Sequence, residues 1–214
     1  MKSFEKLLAE NKAWAKAVKT ENPDFFYNLA KEQKPKFLWL GCSDSRVPAE
    51  IIVKAAPGEM FIHRNIANQM ISTDFNCLSV LQYAVNVLEV KHIIVCGHYN
   101  CGGVKGALNR QHPELMITNK WLLHIKDIYR MHKDEVDALP TEEQRVNRLV
   151  ELNIIEQINT LAYTSIVQKS WHEHKRPVLH GWVYGLSDGL LNPLITLYPD
   201  FEVDNIFKYD FESV

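Results

Sequence analysis

Four short apolar runs, rich in Val, Ile, Phe and Trp, recur along the chain at residues 36–42, 59–64, 92–98 and 178–185. Segments with helical spacing of apolar residues lie between several of them. Near-continuous apolar runs of this length are typical of parallel strands that helices cover on both faces. The pattern therefore predicts an α/β fold with a mostly parallel β-sheet flanked by helices.

Three further segments carry a secondary-structure signal. Residues 75–90 have apolar residues at helical spacing. Thr141 and Gln144 form a capping-box sequence before a predicted helix of about 30 residues. Residues 205–211 alternate between polar and apolar positions and predict an added edge strand.

The N-terminus predicts a helical arm. One face of its amphipathic first helix is marked by Phe4, Leu7, Leu8, Trp14 and Val18. Asn22 and Pro23 then predict the N-cap and the first position of a second helix. Residues 1–34 have little core of their own, so we expect this arm to serve dimerisation by docking on a partner subunit. No repeat or low-complexity linker divides residues 1–214, which we interpret as a single domain.

Composition narrows the class of protein. The 214 residues are 46% hydrophobic and 23% charged, which is typical of a soluble globular protein. A net charge of -2 gives no general attraction for nucleic acid or anionic membranes. Charged residues from Lys2 to Glu10 interrupt the apolar run that a signal peptide needs, and no stretch of about 18 apolar residues could span a bilayer. We therefore expect a cytoplasmic protein without nucleic-acid or membrane partners.

The four cysteines are expected to be core residues, metal ligands or reactive thiols, because the cytosol disfavours disulfides. We interpret Cys77 and Cys96 as small buried hydrophobic residues, and His63 as a surface or core histidine.

Cys42 and His98 differ from these because they end the first and third apolar runs. Open α/β sheets bind ligands at the carboxyl ends of their strands, and Cys101 follows His98 after a turn. Two cysteines and a histidine suit zinc, with either a fourth protein ligand or an open position for water. Gly102 and Gly103 come next and allow the backbone to approach whatever the metal holds.

The run from Cys42 to Arg46 places a thiol, a carboxylate and a guanidinium at alternate positions. Arg46 can hold the Asp44 carboxylate in a bidentate ion pair and leave an oxygen free to accept another hydrogen bond. A charge pair beside a buried strand end indicates a bound metal or anion.

Four motifs together carry a specific resemblance: CSDSRVP at 42–48, HRNIAN at 63–68, GHYNCGG at 97–103 and the later HGWVYG. With these motifs the sequence resembles the β-class carbonic anhydrases, zinc enzymes that interconvert CO2 and bicarbonate. The similarity extends from the N-terminal helices to about residue 190.

The resemblance implies one Zn²⁺ per chain, with Cys42, His98 and Cys101 as ligands. It further implies that the Asp44–Arg46 pair aims a zinc-bound hydroxide at CO2, and that the Gly102 N–H supports the bicarbonate formed. Two thiolates neutralise the dication more than three histidines do, so we expect the activity to favour alkaline pH.

Gln33, Phe61 and Tyr83 match positions that line the substrate pocket in related enzymes, partly from the neighbouring subunit. The resemblance therefore implies a homodimer, often paired into a homotetramer.

A regulated subset of the family has a closed state, in which the aspartate leaves its arginine and takes the fourth position on zinc. A second bicarbonate ion stabilises that state at positions that match Trp39, Arg64 and Tyr184. The resemblance implies that this chain belongs to the subset and that bicarbonate inhibits it allosterically.

Three alternatives remain from the sequence. Asp44 could complete a permanently closed, structural zinc site, although such a site does not need Arg46. The same fold could act on another small substrate such as carbon disulfide. A redox protein using Cys42 and Cys101 is a third alternative, but the two lack C-x-x-C spacing.

Overall fold

A five-stranded sheet organises the computed structural model, which describes residues 3–211. The strands are β1 (Phe37–Cys42), β2 (Met60–Asn65), β3 (His92–His98), β4 (Val178–Tyr184) and β5 (Leu191–Leu197). Their order is β2-β1-β3-β4-β5; the first four are parallel, and β5 is antiparallel to β4. The mostly parallel α/β fold and the four strands predicted from the apolar runs are confirmed.

The helices of the described chain account for the remaining regular structure. They are α1 (Phe4–Glu21), α2 (Phe25–Lys31), α3 (Ala49–Ile52), α4 (Phe75–Gln82), α5 (Gly102–Leu108), α6 (Met116–Trp121), α7 (Leu123–Met131), α8 (Lys133–Asp137), α9 (Glu142–Ala162) and α10 (Ser165–His174). A π-helical turn, Tyr83–Val87, continues α4, and 3-10 turns span Ile66–Asn68 and Asn205–Phe207. No described helix combines the length and the apolar character that a membrane crossing requires.

The chain forms two units, one ending at Lys34 and the other beginning at Pro35. In the first unit, α1 is amphipathic as predicted, and its apolar residues are largely exposed, Phe4 at 70% and Leu8 at 62%. The second helix begins later than predicted. Its N-cap is Asp24, not Asn22, so Pro23 precedes the helix.

The second unit has two cores, because alternate residues of each strand face opposite sides of the sheet. The larger core contains Leu38, Leu40, Ile93 and Val95 from the central strands, together with residues of α4, α5, α7, α9 and α10. The smaller core, on the other face, contains Trp39, Ala49, Ile94 and Cys96.

Two predictions for the C-terminal third were wrong. The capping box at Thr141 is present, but its helix has 21 residues and ends at Ala162. The Thr164 side chain accepts a hydrogen bond from the Val167 N–H and starts α10 as a new helix.

The tail is not an edge strand. The Phe207 ring stacks on Tyr163 at a centroid distance of 4.1 Å, and the Phe207 carbonyl accepts from the Gln168 side chain. The tail therefore packs on the helices. The sheet edge beside β4 is formed by β5, whose Pro193 is tolerated because an edge strand has one unpaired side.

Candidate metal centre

Cys42, His98 and Cys101 meet at the carboxyl ends of two neighbouring parallel strands. Cys42 is the last residue of β1, His98 is the last residue of β3, and Cys101 directly precedes α5. Their ligand atoms lie within 4.8 Å of one another, and the two sulfur atoms are 3.9 Å apart. All three side chains are buried.

The geometry fits a zinc ion. The His98 Nδ1 donates to the Tyr99 carbonyl at 2.9 Å, which leaves Nε2 as the acceptor nitrogen of the neutral ring. Nε2 is a buried atom without a hydrogen-bond partner, and a metal ion would satisfy it. A sulfur separation of 3.9 Å matches two thiolates on a tetrahedral Zn²⁺, given a zinc–sulfur distance of about 2.3 Å.

The two thiols are electrostatically linked. The hydrogen-bond contact between the two thiols lowers the pKa of Cys42, and the same contact together with burial raises the pKa of Cys101. A cation bound at this position would displace the thiol proton that the two sulfur atoms share.

Asp44 and Arg46 form the bidentate pair predicted from the sequence. Asp44 Oδ1 accepts from Arg46 Nε at 2.9 Å, and Oδ2 accepts from Nη2 at 2.7 Å. The Arg46 side chain holds the pKa of Asp44 far below its usual value. Asp44 Oδ2 also lies 3.7 Å from His98 Nε2, so this half-buried carboxylate stands beside the candidate ligand atoms.

Arg64 holds the loop that carries the Asp44–Arg46 pair in place through hydrogen bonds. From β2 its Nε donates to the Cys42 carbonyl at 2.8 Å, and its Nη2 donates to the Asp44 carbonyl at 2.6 Å. Arg64 lies opposite Gly41 in the β1–β2 register, one residue from Cys42. The sequence alone does not indicate this positioning role of Arg64, because the role depends on the register between two strands.

Helix α9 holds the loop between His98 and Cys101 in place through hydrogen bonds. The Tyr99 hydroxyl donates to Glu151 Oε1 at 2.7 Å, and the Asn100 N–H donates to Asn147 Oδ1 at 3.2 Å. Asn100 has a positive φ of 55°, a conformation that asparagine tolerates better than most residues. These contacts join positions about 50 residues apart, and no local sequence signal indicates them.

The glycines after Cys101 differ in their surroundings. A Cβ on Gly103 would lie 2.9 Å from Ile66 Cγ2 and 3.2 Å from Ala67 Cβ, whereas a Cβ on Gly102 would meet no atom within 4 Å. Gly103 thus permits close packing of α5, and Gly102 borders open space beside the site.

The other predicted site residues occupy separate places. The Phe61 and Tyr83 rings lie 5.8 Å apart, and Tyr83 is 44% exposed. Gln33 belongs to the first unit of the chain. Trp39 belongs to the smaller core, and Tyr184 packs against that core. Strand alternation places Arg64 on the same face of the sheet.

Comparison with known proteins gives consistent matches. Residues 37–191 match the family model described as carbonic anhydrase. A carbonic anhydrase from Emericella nidulans is 48% identical over 202 residues, which cover 94% of this chain and 88% of that protein. One from Pseudomonas aeruginosa is 35% identical over 174 residues, covering 79% of this chain and 77% of that protein.

Solved structures agree with these sequences. One of two tetrameric β-carbonic anhydrases from the ascomycete Sordaria macrospora superposes with a TM-score of 0.87 at 38% identity, covering 91% of this chain and 98% of that one. A Coccomyxa β-carbonic anhydrase in complex with acetazolamide gives a TM-score of 0.86 at 34% identity, covering 92% and 89%.

Proposed function

The chain belongs to the β-class carbonic anhydrases, enzymes of CO2 hydration, and from that membership we propose how its own residues perform the reaction. Cys42, His98 and Cys101 hold one catalytic zinc ion per chain. The observation that carries this assignment is the buried, unpartnered His98 Nε2 beside two sulfur atoms 3.9 Å apart. When bound, zinc supplies a Lewis acid that lowers the pKa of a coordinated water from near 15.7 towards neutrality.

Asp44 orients the nucleophile in this proposal. Arg46 donates a hydrogen bond to each carboxylate oxygen of Asp44, and these two bonds fix the direction of the remaining lone pairs. Because Oδ2 lies 3.7 Å from His98 Nε2, the carboxylate can accept a hydrogen bond from an oxygen held at the metal position. Arg64 keeps the same loop in place through the Cys42 and Asp44 carbonyls.

Substrate binding is assigned to residues around this centre. Phe61 and Tyr83 form an aromatic pair suited to a small, weakly polar molecule such as CO2. The Gly102 N–H is the proposed donor to the bicarbonate product, since no side chain stands beside it. Gln33 is proposed to reach the pocket of a neighbouring subunit.

A homodimer that pairs into a tetramer is the proposed assembly. The apolar face of α1 is exposed and suits a partner surface, and the similar Sordaria macrospora protein is described as tetrameric. We propose that residues 1–34 act in this assembly as part of the same functional domain as the rest of the chain. The cytoplasmic location stays a prediction.

A purely structural zinc site is the competing function. It would need the Asp44 carboxylate on the metal, whereas Arg46 holds both oxygens of that carboxylate. A bidentate arginine has no purpose in a closed site of four ligands. The catalytic proposal therefore explains one more residue than the structural one.

The dependence of CO2 hydration on pH tests the catalytic proposal. The pKa of Asp44 is lowered and that of Arg46 is raised, so the pair stays charged between about pH 6 and pH 9. Two thiolate ligands make the nucleophile form at higher pH than three histidines would. Stopped-flow rates with a pH indicator should therefore rise across this range, and a flat profile would contradict the proposal.

Allosteric inhibition by bicarbonate is the proposed regulation. Trp39, Arg64 and Tyr184 share one sheet face, but the Arg64 guanidinium already donates to the Cys42 and Asp44 carbonyls. An anion bound by Arg64 would compete with those bonds and loosen the Asp44 loop. This competition couples the anion site to the state of the Asp44–Arg46 pair.

We expect bicarbonate to inhibit the wild type with a sigmoidal concentration dependence, and Tyr184→Phe to make the curve hyperbolic or remove inhibition. Tyr184→Phe is a cleaner test than two larger changes. Trp39→Ala opens a cavity in the core, and Arg64→Ala should also slow the uninhibited enzyme about 10-fold by freeing the loop. Tyr198→Phe, at an exposed tyrosine, is the matched control. Hyperbolic inhibition of the wild type would exclude this regulation.

A further inference from the structure

A second group of metal-binding side chains lies away from the catalytic centre. His63 on β2, Asp74 at the N-cap of α4 and Cys77 in the first turn of α4 place their ligand atoms within 4.8 Å of one another. His63 is 8% exposed, Cys77 is fully buried, and Asp74 is half-buried. Among residues 3–211, this is the one such group besides Cys42, His98 and Cys101.

Each donor keeps an atom available for a cation. Asp74 caps α4 through Oδ1, which accepts from the Asn76 N–H at 3.0 Å, so that bond does not use Oδ2. His63 Nε2 has a long contact of 3.4 Å with Asn65 Nδ2. The Cys77 thiol points at the Met70 sulfur at 3.3 Å, an unusual partner for a polar side chain. The group and its Met70 neighbour thus bring together two sulfur atoms, an imidazole and a carboxylate.

We propose that His63, Asp74 and Cys77 form a second metal site that binds Zn²⁺ separately from the catalytic ion. Thiolate, imidazole and carboxylate are the three ligand types that zinc binds in proteins. Burial keeps His63 uncharged, since it lowers the pKa of that side chain, and the neutral ring is the form that ligates.

Binding exchanges a proton for a metal bond. Burial raises the pKa of Cys77 to about 12, so the free protein holds a thiol. On binding, the S–H bond breaks, the sulfur electron pair forms the Zn–S bond, and the proton passes to the buffer. No oxidant or other reactant is required.

The site would be structural and would cross-link β2 to α4. The chain between them, residues 66–74, contains Ala67 and Asn68 with positive φ angles of 62° and 48°. The same two elements carry the aromatic pair, because Phe61 precedes His63 on β2 and Tyr83 directly follows α4. A bound ion would therefore hold the strand and helix that carry this aromatic pair.

Zinc titration of the intact, catalytically loaded enzyme tests the proposal. We expect the wild type to take up a second equivalent of Zn²⁺, measured by competition with a chromophoric chelator and by elemental analysis after desalting. Cys77→Ser and His63→Gln should each lose that second equivalent and keep the first. Cys96→Ser and His92→Gln are matched controls, a buried cysteine and a part-buried histidine outside the group, and should retain both.

Wild-type enzyme that binds only one equivalent overturns the proposal, as does a Cys77→Ser variant that still binds two. If Cys77→Ser fails to fold, Asp74→Asn at the half-buried ligand provides the same comparison. Cys101→Ser separates this site from the catalytic one, because it should lose the catalytic ion and still bind the second. A Cys101→Ser variant that binds no zinc at all would contradict the second site without affecting the first.

Discussion

Cys101→Ser is expected to remove the catalytic zinc and to lower kcat/KM for CO2 hydration by about 1,000-fold or more, because unassisted water has a pKa near 15.7 and supplies almost no nucleophile near neutrality. Serine has nearly the shape of cysteine, but its hydroxyl does not ionise under these conditions and is a poor zinc ligand. Cys101 is 2% exposed, so water cannot easily take its place.

The same substitution leaves Cys42 with a hydrogen-bonding neighbour. The hydrogen-bond contact with Cys101 is the chief cause of the lowered pKa of Cys42, and a serine hydroxyl at position 101 can still form such a contact. Cys42 and His98 should therefore keep their places, and the loss should be of metal rather than of fold. Circular dichroism and thermal unfolding of the variant check this point.

Cys96→Ser is the matched control for this prediction. Cys96 is also fully buried, but its thiol donates to the Gly97 carbonyl and it faces the smaller core. It should keep zinc and most of the activity. A Cys101→Ser enzyme with a full zinc complement and wild-type rates would refute the assignment of Cys101 as a ligand.

The fold and the proposed zinc ligands could both be predicted from the sequence, and for the same reason. Buried parallel strands are nearly continuous apolar runs, and ligands lie at their carboxyl ends. Cys42 and His98 end two such runs, so finding the strands was enough to expect the two side chains to meet. Local spacing then added Cys101 and the Asp44–Arg46 pair.

Contacts between segments far apart in the chain could not be predicted from the sequence. Alternation shows which face of β2 carries Arg64, but only the register opposite Gly41 brings its guanidinium to the Cys42 carbonyl. The Tyr99–Glu151 bond likewise joins residues 52 positions apart. His63 and Cys77 each look like ordinary buried residues in sequence, and only the folded chain brings them together with Asp74.

The errors at the C-terminus have a similar origin. Alternation at 205–211 fits an edge strand, but it fits equally a segment whose apolar residues pack on helices, as Phe207 does on Tyr163. The strand that forms the sheet edge beside β4 is β5, and it contains Pro193, which lowers strand propensity. Tertiary packing decides whether a short segment near the edge of a sheet forms a strand.

Asp44→Asn is expected to lower kcat/KM about 10- to 100-fold, the usual range for groups that orient the atoms on a metal, and to leave one catalytic zinc in place. Asparagine keeps the size of the side chain. It loses the charge that Arg46 binds, however, and it offers an N–H₂ group where a carboxylate oxygen accepted. The zinc content should not change, because Cys42, His98 and Cys101 are untouched.

Arg46→Ala should be as damaging by a different route. Without the guanidinium, the cause of the low pKa of Asp44 is removed and its carboxylate is free to rotate. Oδ2 already lies 3.7 Å from His98 Nε2, so a short movement would bring it to the metal position and exclude water. Co²⁺-substituted enzyme should distinguish the two variants, since an added anion such as azide would perturb the visible spectrum of Asp44→Asn but not that of Arg46→Ala.

The double variant Asp44→Asn, Arg46→Ala decides whether the pair acts as a unit. If Arg46 matters only through Asp44, the double variant loses no more activity than Asp44→Asn, because no carboxylate remains to be held or to close the site. Independent roles would instead multiply the two losses, so that the double variant loses about 10- to 100-fold more activity than Asp44→Asn alone. Arg130→Ala, which breaks an exposed ion pair with Asp127, is the control for removing a surface arginine and should leave kcat/KM unchanged. Multiplied losses would show that Arg46 acts on the substrate or the nucleophile directly. The bidentate pair with Asp44 would then not account for the role of the Arg46 guanidinium.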